Sequence, residues 1–201
     1  MALANLSDPT QSDLITTNDG TIVLTTSAGN LTVTDGGDSN NIGVLANGAG
    51  NILLHSVAAD TILNSAVQSG TGHISVLGQV NVTQAAAGDI STTGAGTIDV
   101  AAMTGAITMI DGAQATTDNA NIRYGANTDI ALGGITAGTA NVSLTATTGN
   151  ITDSGDAHVD VVANGLRMTA GGNIGEPVGT NNAHLDTTVT AITADATGSV
   201  G

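Results

Sequence analysis

Apolar and polar positions alternate with a period of two in short runs along most of the chain. Leu31-Thr32-Val33, Ile74-Ser75-Val76, Ile107-Thr108-Met109 and Val142-Ser143-Leu144 are examples. This alternation predicts short strands with one face buried. Clusters of Gly, Asn, Asp and Ala-Gly separate the runs and read as tight corners. No stretch shows the 3.6-residue period of an amphipathic helix, so an all-β chain is expected.

The runs recur. A small residue, a polar residue and an aliphatic one open a strand at Gly29-Asn30-Leu31, Gly50-Asn51-Ile52, Gly72-His73-Ile74, Gly96-Thr97-Ile98, Ala120-Asn121-Ile122 and Ala140-Asn141-Val142, with Gly165-Leu166 as a degenerate continuation. The step is about 22 residues. A second register of similar step runs through Ile62, Val82, Ile107, Ile130, Ile151 and Ile174, and a looser third through Val44, Val67, Ile90, Ala115, Ile135, Val159 and Leu185. Each repeat therefore holds three short strands. Repeats of this size cannot bury an apolar face alone and must stack.

The fold expected is a single-stranded, right-handed parallel β-helix (solenoid), with about 22 residues and three short strands per turn and roughly nine turns. Residues 1–201 form one repeat segment, with 1–19 a less regular entry. The expected core ladder holds Leu31, Ile52, Ile74, Ile98, Ile107, Ile122, Ile130, Val142, Ile151, Leu166 and Ile174. The irregular step, from 20 to 25 residues, argues against the left-handed hexapeptide solenoid, which needs a strict six-residue repeat. It favours the right hand.

Composition supports a narrow interior. The 201 residues include no Phe, Trp or Cys, one Tyr, two Pro and 28 Gly, yet 40% are hydrophobic. Mean hydropathy is +0.22, too apolar for a disordered tail. A core built from Val, Ile and Leu suits a slim shaft. Two basic residues stand against 17 acidic ones, a net charge of -15. That balance argues against nucleic acid, whose affinity rests on neutralising phosphates, and against anionic lipid surfaces. No apolar run approaches the length of a membrane span, and residues 1–9 do not read as a signal peptide. The expectation is a piece of a longer exported chain.

Thr148-Gly149-Asn150-Ile151-Thr152, Ala170-Gly171-Gly172-Asn173-Ile174-Gly175 and Ala140-Asn141-Val142-Ser143-Leu144-Thr145-Ala146 resemble the shaft repeats of filamentous-haemagglutinin-like adhesins and other giant repetitive exoproteins of Gram-negative bacteria. The resemblance extends from about Gly20 onward. It implies export across the outer membrane, a location outside the cell or on its surface, a β-helical stalk, and a role in attachment or surface coating.

The polar clusters are where chemistry could reside. Right-handed β-helices also include polysaccharide lyases and hydrolases, but this chain has no Asp-Asp pair, no Lys and no Phe or Trp to stack on a sugar. It lacks an acid and base in working combination, and no catalytic residue or organic cofactor is expected. Asp156-Ala157-His158-Val159-Asp160 would set Asp156, His158 and Asp160 on one outward face, with Val159 and Val161 inward. A metal could be held there if a neighbouring turn added ligands, but a solvated face on which two acids flank His158 is the simpler reading. The acidic corners separately raise calcium. Its candidate ligands are Asp35, Asp38, Asp153 and Asp156, in corners rich in hard oxygen donors. Neither corner recurs once per turn, so turn formation accounts for both and a calcium response should be weak or absent.

The outward positions Val23, Thr32, Leu53, Ser75, Asp99, Thr108, Arg123, Ala131, Ser143 and Thr152 form no threonine ladder of the kind that binds ice. Tyr124, beside Arg123, should point inward or cap a corner. Asn5, Asn30, Asn81, Asn141 and Asn150 head Asn-x-Ser/Thr triplets that follow from the repeat itself. The leading expectation is thus a structural stalk segment that associates end to end with itself and meets host or neighbouring-cell glycans or proteins. A carbohydrate-binding or carbohydrate-cleaving β-helix is the alternative.

Overall fold

A computed structural model describes residues 13–155, 158–175 and 184–200. These residues hold twenty strands and no helix. Six turns each carry three strands, one per wall. They are β1 (Leu14–Thr16), β2 (Ile22–Thr26) and β3 (Leu31–Val33); β4 (Ile42–Ala46), β5 (Ile52–Ser56) and β6 (Thr61–Leu63); β7 (Ala66–Ser69), β8 (Ile74–Gly78) and β9 (Val82–Gln84). Then follow β10 (Ile90–Thr92), β11 (Ile98–Ala102) and β12 (Ile107–Met109); β13 (Gln114–Thr117), β14 (Ile122–Ala126) and β15 (Ile130–Leu132); β16 (Gly134–Thr136), β17 (Asn141–Ala146) and β18 (Ile151–Asp153). Two ten-residue strands, β19 (Val161–Ala170) and β20 (Thr187–Ala196), each run along two walls without a break. β19 thereby joins those walls into one large sheet, ordered β1-β4-β7-β10-β13-β16-β19-β17-β14-β11-β8-β5-β2, with β20 against β19. The third wall is the sheet β18-β15-β12-β9-β6-β3. All pairings are parallel.

The protein is a parallel β-solenoid with three strands per turn. Two expectations need correction. There are about six turns, not nine, and the period is about 24 residues, not 22. The excess comes largely from one long step: Ile22 pairs with Ile52, 30 positions on, because the Thr34–Asn41 loop is inserted between them.

A third correction concerns register. Leu31 does not stack under Ile52. It pairs with Thr61, and the third wall runs Leu31-Thr61-Val82-Ile107-Ile130-Ile151, extended by bridges to Ile174 and Val200. Ile52 follows Ile22 in the ladder Ile22-Ile52-Ile74-Ile98-Ile122-Val142-Leu166-Ile192. The two walls share one local grammar, a small residue and an Asx before an aliphatic, so spacing alone exchanges them. Ile62 pairs with Thr32 and Thr83 on the half-buried outer face, while Thr61 and Leu63 point in. In the remaining wall Ile135 pairs with Val161, and Val161 with Thr187, so Val159 and Leu185 lie two residues off the ladder.

Leu31, Ile52, Ile74, Ile98, Ile107, Ile122, Ile130, Val142, Ile151, Leu166 and Ile174 are all buried in one continuous core. Stacked strands lie about 4.8 Å apart, so each aliphatic covers the one below it. At the corners, polar side chains repeat the same stacking. Asn81 N donates to Asp60 Oδ1 (2.9 Å), Ala106 N to Asn81 Oδ1 (2.9 Å), Asn150 N to Asp129 Oδ1 (2.8 Å), Asn173 N to Asn150 Oδ1 (2.7 Å) and Ser199 N to Asn173 Oδ1 (2.8 Å). Each Asx side chain thus satisfies the backbone N–H of the next turn, where the chain leaves the sheet and its ladder hydrogen bonds end.

Another corner shows why glycine opens the repeat. A Cβ on Gly72 would collide with the carbonyl oxygen of Gly50, and one on Gly96 with that of Gly72. Buried Ser69 and Thr92, stacked in register, close this corner: Ser69 Oγ donates to Gly50 O (2.7 Å) and Thr92 Oγ1 to Gly72 O (2.8 Å). Both buried hydroxyls are therefore paired, as burial requires.

Candidate functional site

Three clusters carry polar chemistry. The first lies in the inserted loop. Asp35 and Asp38 come together with Asp13, which the sequence pattern did not single out, so that one carboxylate oxygen from each lies within 4.8 Å of the others. Their oxygens already have donors: Asn40 Nδ2 reaches Asp13 Oδ2 (2.9 Å) and Asp38 Oδ2 (2.8 Å), Gly36 N reaches Asp13 Oδ1 (3.2 Å), and Asn41 N reaches Asp35 Oδ1 (3.1 Å). Asn41 adopts a left-handed conformation, φ 63°, within this turn. Asn40 and the backbone account for the cluster as a folded loop.

The second cluster sits where β18 leads into β19. Asp156 lies outside the described residues. Asp160 is not outward, as alternation predicts, but 1% exposed. The reversal follows from its place immediately before Val161, the first inward residue of β19. There the chain is tied on both sides, Ile135 N donating to Asp160 O (2.7 Å) and Asp160 N to Asp186 O (2.8 Å). Val159 is exposed, again opposite to expectation. Asp160 Oδ2 accepts Asp186 N (2.7 Å), whereas Oδ1 has no donor among the described residues. Burial, reinforced by Asp153 and Asp186 and opposed by the Asp186 N–H bond, pushes the Asp160 carboxyl up to about 7.

Around this pair, Gly155 N donates to Asp153 Oδ1 (2.9 Å), and Ser154 holds Leu132 O through both N (2.8 Å) and Oγ (2.6 Å). A Cβ on Gly155 would press on the Asp111 carboxylate, so only glycine lets the corner close over that residue. His158 Nδ1 lies 3.4 Å from Asp111 Oδ1, and its buried Nε2 has no partner among the described residues. Asp111 and His158 meet from different turns. No sequence spacing announces that.

The third cluster is a groove of about 590 Å³ on the outer face of the Ile22-to-Ile192 wall. Its floor follows the outward rungs Asp99-Arg123-Ser143-Arg167-Thr193. Both basic residues of the chain therefore fall on one ladder, two rungs apart. Arg123 is held by Asp99, Nε to Oδ1 at 2.8 Å and Nη2 to Oδ2 at 3.1 Å. The pair is half-exposed and contributes about 1 kcal/mol or less. The mixed character of these rungs agrees with the sequence: this is no flat threonine array.

Tyr124 points inward and is fully buried. No protein-family model, curated protein or solved structure matches this chain.

Proposed function

We propose that this chain is a shaft segment of a bacterial cell-surface or secreted adhesin-like protein, and that copies of it associate end to end. The observation that carries the reading is the unbroken stacking of aliphatic ladders, walled by parallel strands and pinned by Asx side chains at the corners. Such a body transmits length and stiffness and holds its shape by repetition. The repeat units quoted above, with their likeness to exoprotein shafts, supply the extracellular part of the reading.

The end-to-end part rests on β20. No described residue covers its far edge, which presents unpaired backbone groups. Ile192, the last rung of its core ladder, is 55% exposed, against 3% for Leu166 directly beneath it. The occupant we assign is a second copy of this chain, because a turn of the same three-walled cross-section matches both the strand edge and the apolar face. This contact is head to tail and does not close, so it produces rods. The charge of -15 opposes it at low salt.

Light scattering and electron microscopy across a salt series test the proposal. Rods of one solenoid diameter that lengthen as salt rises are expected. A strictly monomeric particle at high concentration and 0.5 M salt, where screening acts over roughly 4 Å, overturns the end-to-end part. Turnover of common polysaccharides, scored as new reducing ends or unsaturated sugars, overturns the structural reading in favour of an enzyme.

A further inference from the structure

The chain carries 17 acidic residues and two basic ones, and both basic ones line the groove on the outer face of the Ile22-to-Ile192 wall. Arg123 is neutralised by Asp99 through contacts of 2.8 and 3.1 Å. Arg167 is exposed and makes no ion pair among the described residues. The charged residues of the groove, Asp99, Arg123 and Arg167, therefore leave it positive in an otherwise acidic chain. Beside Arg167 the adjoining positions Gly165 and Ala191 are small and leave the guanidinium accessible. Ser143 lies directly below it and Thr193 directly above, each with a hydroxyl. Ile98, Ile122, Val142 and Leu166 point inward and are buried, so the groove offers a ligand no large apolar side chain.

We propose that this groove binds a sparsely acidic glycan, with one carboxylate-bearing sugar among neutral ones, laid along the shaft axis with its carboxylate on Arg167. The planar guanidinium fork matches a carboxylate bidentately. From Asp99 to Thr193 the floor crosses four rung spacings, about 19 Å, which holds a few sugar rings rather than a single small anion. The Asp99–Arg123 pair sets acceptor and donor side by side, an arrangement that suits neighbouring sugar hydroxyls. A peptide fits less well: β11, β14 and β17 are paired on both sides, so no sheet edge is open to an added strand, and no apolar pocket takes a side chain. A densely charged polymer is repelled by the net charge of -15, which a single unpaired arginine does little to offset. Without an aromatic platform the contact rests on charge and hydrogen bonds and is weak at one site. Copies joined in a rod would strengthen it by presenting the groove repeatedly. The site goes beyond the shaft reading and does not depend on end-to-end association.

The probe is a trisaccharide with one glucuronate between two N-acetylglucosamines, titrated into the whole chain at low ionic strength and followed by NMR. Low salt keeps the particles single, so a failure of rod formation leaves this measurement intact, and the reverse holds. Saturable binding of one trisaccharide per chain is expected. Reducing its carboxylate to an alcohol, or Arg167→Gln, should each weaken binding about tenfold or more, the size of one charge-assisted contact. Arg167→Lys should keep part of the affinity, since the charge stays and the fork is lost. Ser143→Leu, which fills the floor between the two arginines, should weaken binding as well, whereas Thr108→Ala on the third wall should not. Far-UV circular dichroism checks that each variant folds, and Ser143→Leu decides the matter if Arg167→Gln does not. No binding of the trisaccharide, equal binding of its carboxyl-reduced form, or unchanged affinity in both groove variants overturns the proposal. Tighter binding of a fully uronic trisaccharide or of an acidic peptide also overturns it, by assigning the groove to another ligand.

Discussion

Tyr124 Oη donates a 3.0 Å hydrogen bond to Gln84 Oε1 across the interior of the shaft. Both residues are fully buried and come from different walls, β14 and β9. Gln84 Nε2 in turn donates to Gln114 O (2.8 Å), so the amide is used at both ends. Gln84 stands on an inward rung between Leu63 and Met109, where an aliphatic would otherwise sit. Burial, with the Asp89 charge adding to it, drives the tyrosine ionisation far up, so the phenol stays neutral and remains a donor.

Tyr124→Phe should therefore destabilise the protein by about 1–3 kcal/mol, because Gln84 Oε1 is left buried and unpaired. For a chain of this length that lowers Tm by roughly 2–4 °C per kcal/mol. The double variant Tyr124→Phe with Gln84→Met should recover part of the loss. Urea titration of the two singles and the double measures the coupling, and strict additivity would show that the bond contributes nothing.

The corrected register makes neighbouring isoleucines unequal. Ile107→Asp and Ile130→Asp place a charge on fully buried rungs and should cost several kcal/mol. Ile62→Asp, on the outer face of β6, should cost well under half as much. Thermal melts by circular dichroism rank the three. Equal losses at Ile62 and Ile107 would restore the exchanged register.

Stability without divalent ions should depend on Asp160. Its carboxyl is raised in the folded state, so between pH 4 and 7 the folded protein binds more protons than the unfolded chain. The stabilisation is fully present below about pH 4 and is lost as pH rises through about 7. The contribution is at most about 4 kcal/mol, one pKa unit being worth about 1.4 kcal/mol. Asp160→Asn should flatten this part of the profile and melt above the wild type at pH 8 in chelator. Melting temperatures from pH 4 to 8 provide the check, and an unchanged slope in the variant would remove Asp160 as its source.

Gly72→Ala should destabilise by about 1–3 kcal/mol, since the new methyl meets the Gly50 carbonyl oxygen and backbone must shift. Gly29→Ala meets no atom within 4 Å, and its cost comes only from φ +77°, about 1 kcal/mol. Chemical denaturation of both separates crowding from backbone strain.

The period-two alternation, the recurring small-Asx-aliphatic unit and the absence of helical spacing are local facts, and they determined an all-β solenoid with three strands per turn from the sequence alone. They also placed Ile52, Ile74, Ile98, Ile122, Val142 and Leu166 on one ladder, because each opens a strand after the same kind of corner. Only the tertiary structure assigned Leu31 and Thr61 to another wall. Two walls with the same corner grammar differ in which turn lies above them, and nothing within twenty residues records that. The inserted loop before Ile42 lengthened one turn without altering the alternation, so the count of turns was not legible either. Asp160 illustrates the rest: period two sets it outward, but its place is decided by hydrogen bonds to Ile135 and Asp186 on neighbouring turns. Its hydrogen bond from Asp186, like that of Tyr124 to Gln84, is a contact between turns, which stacking creates and spacing along the chain does not encode.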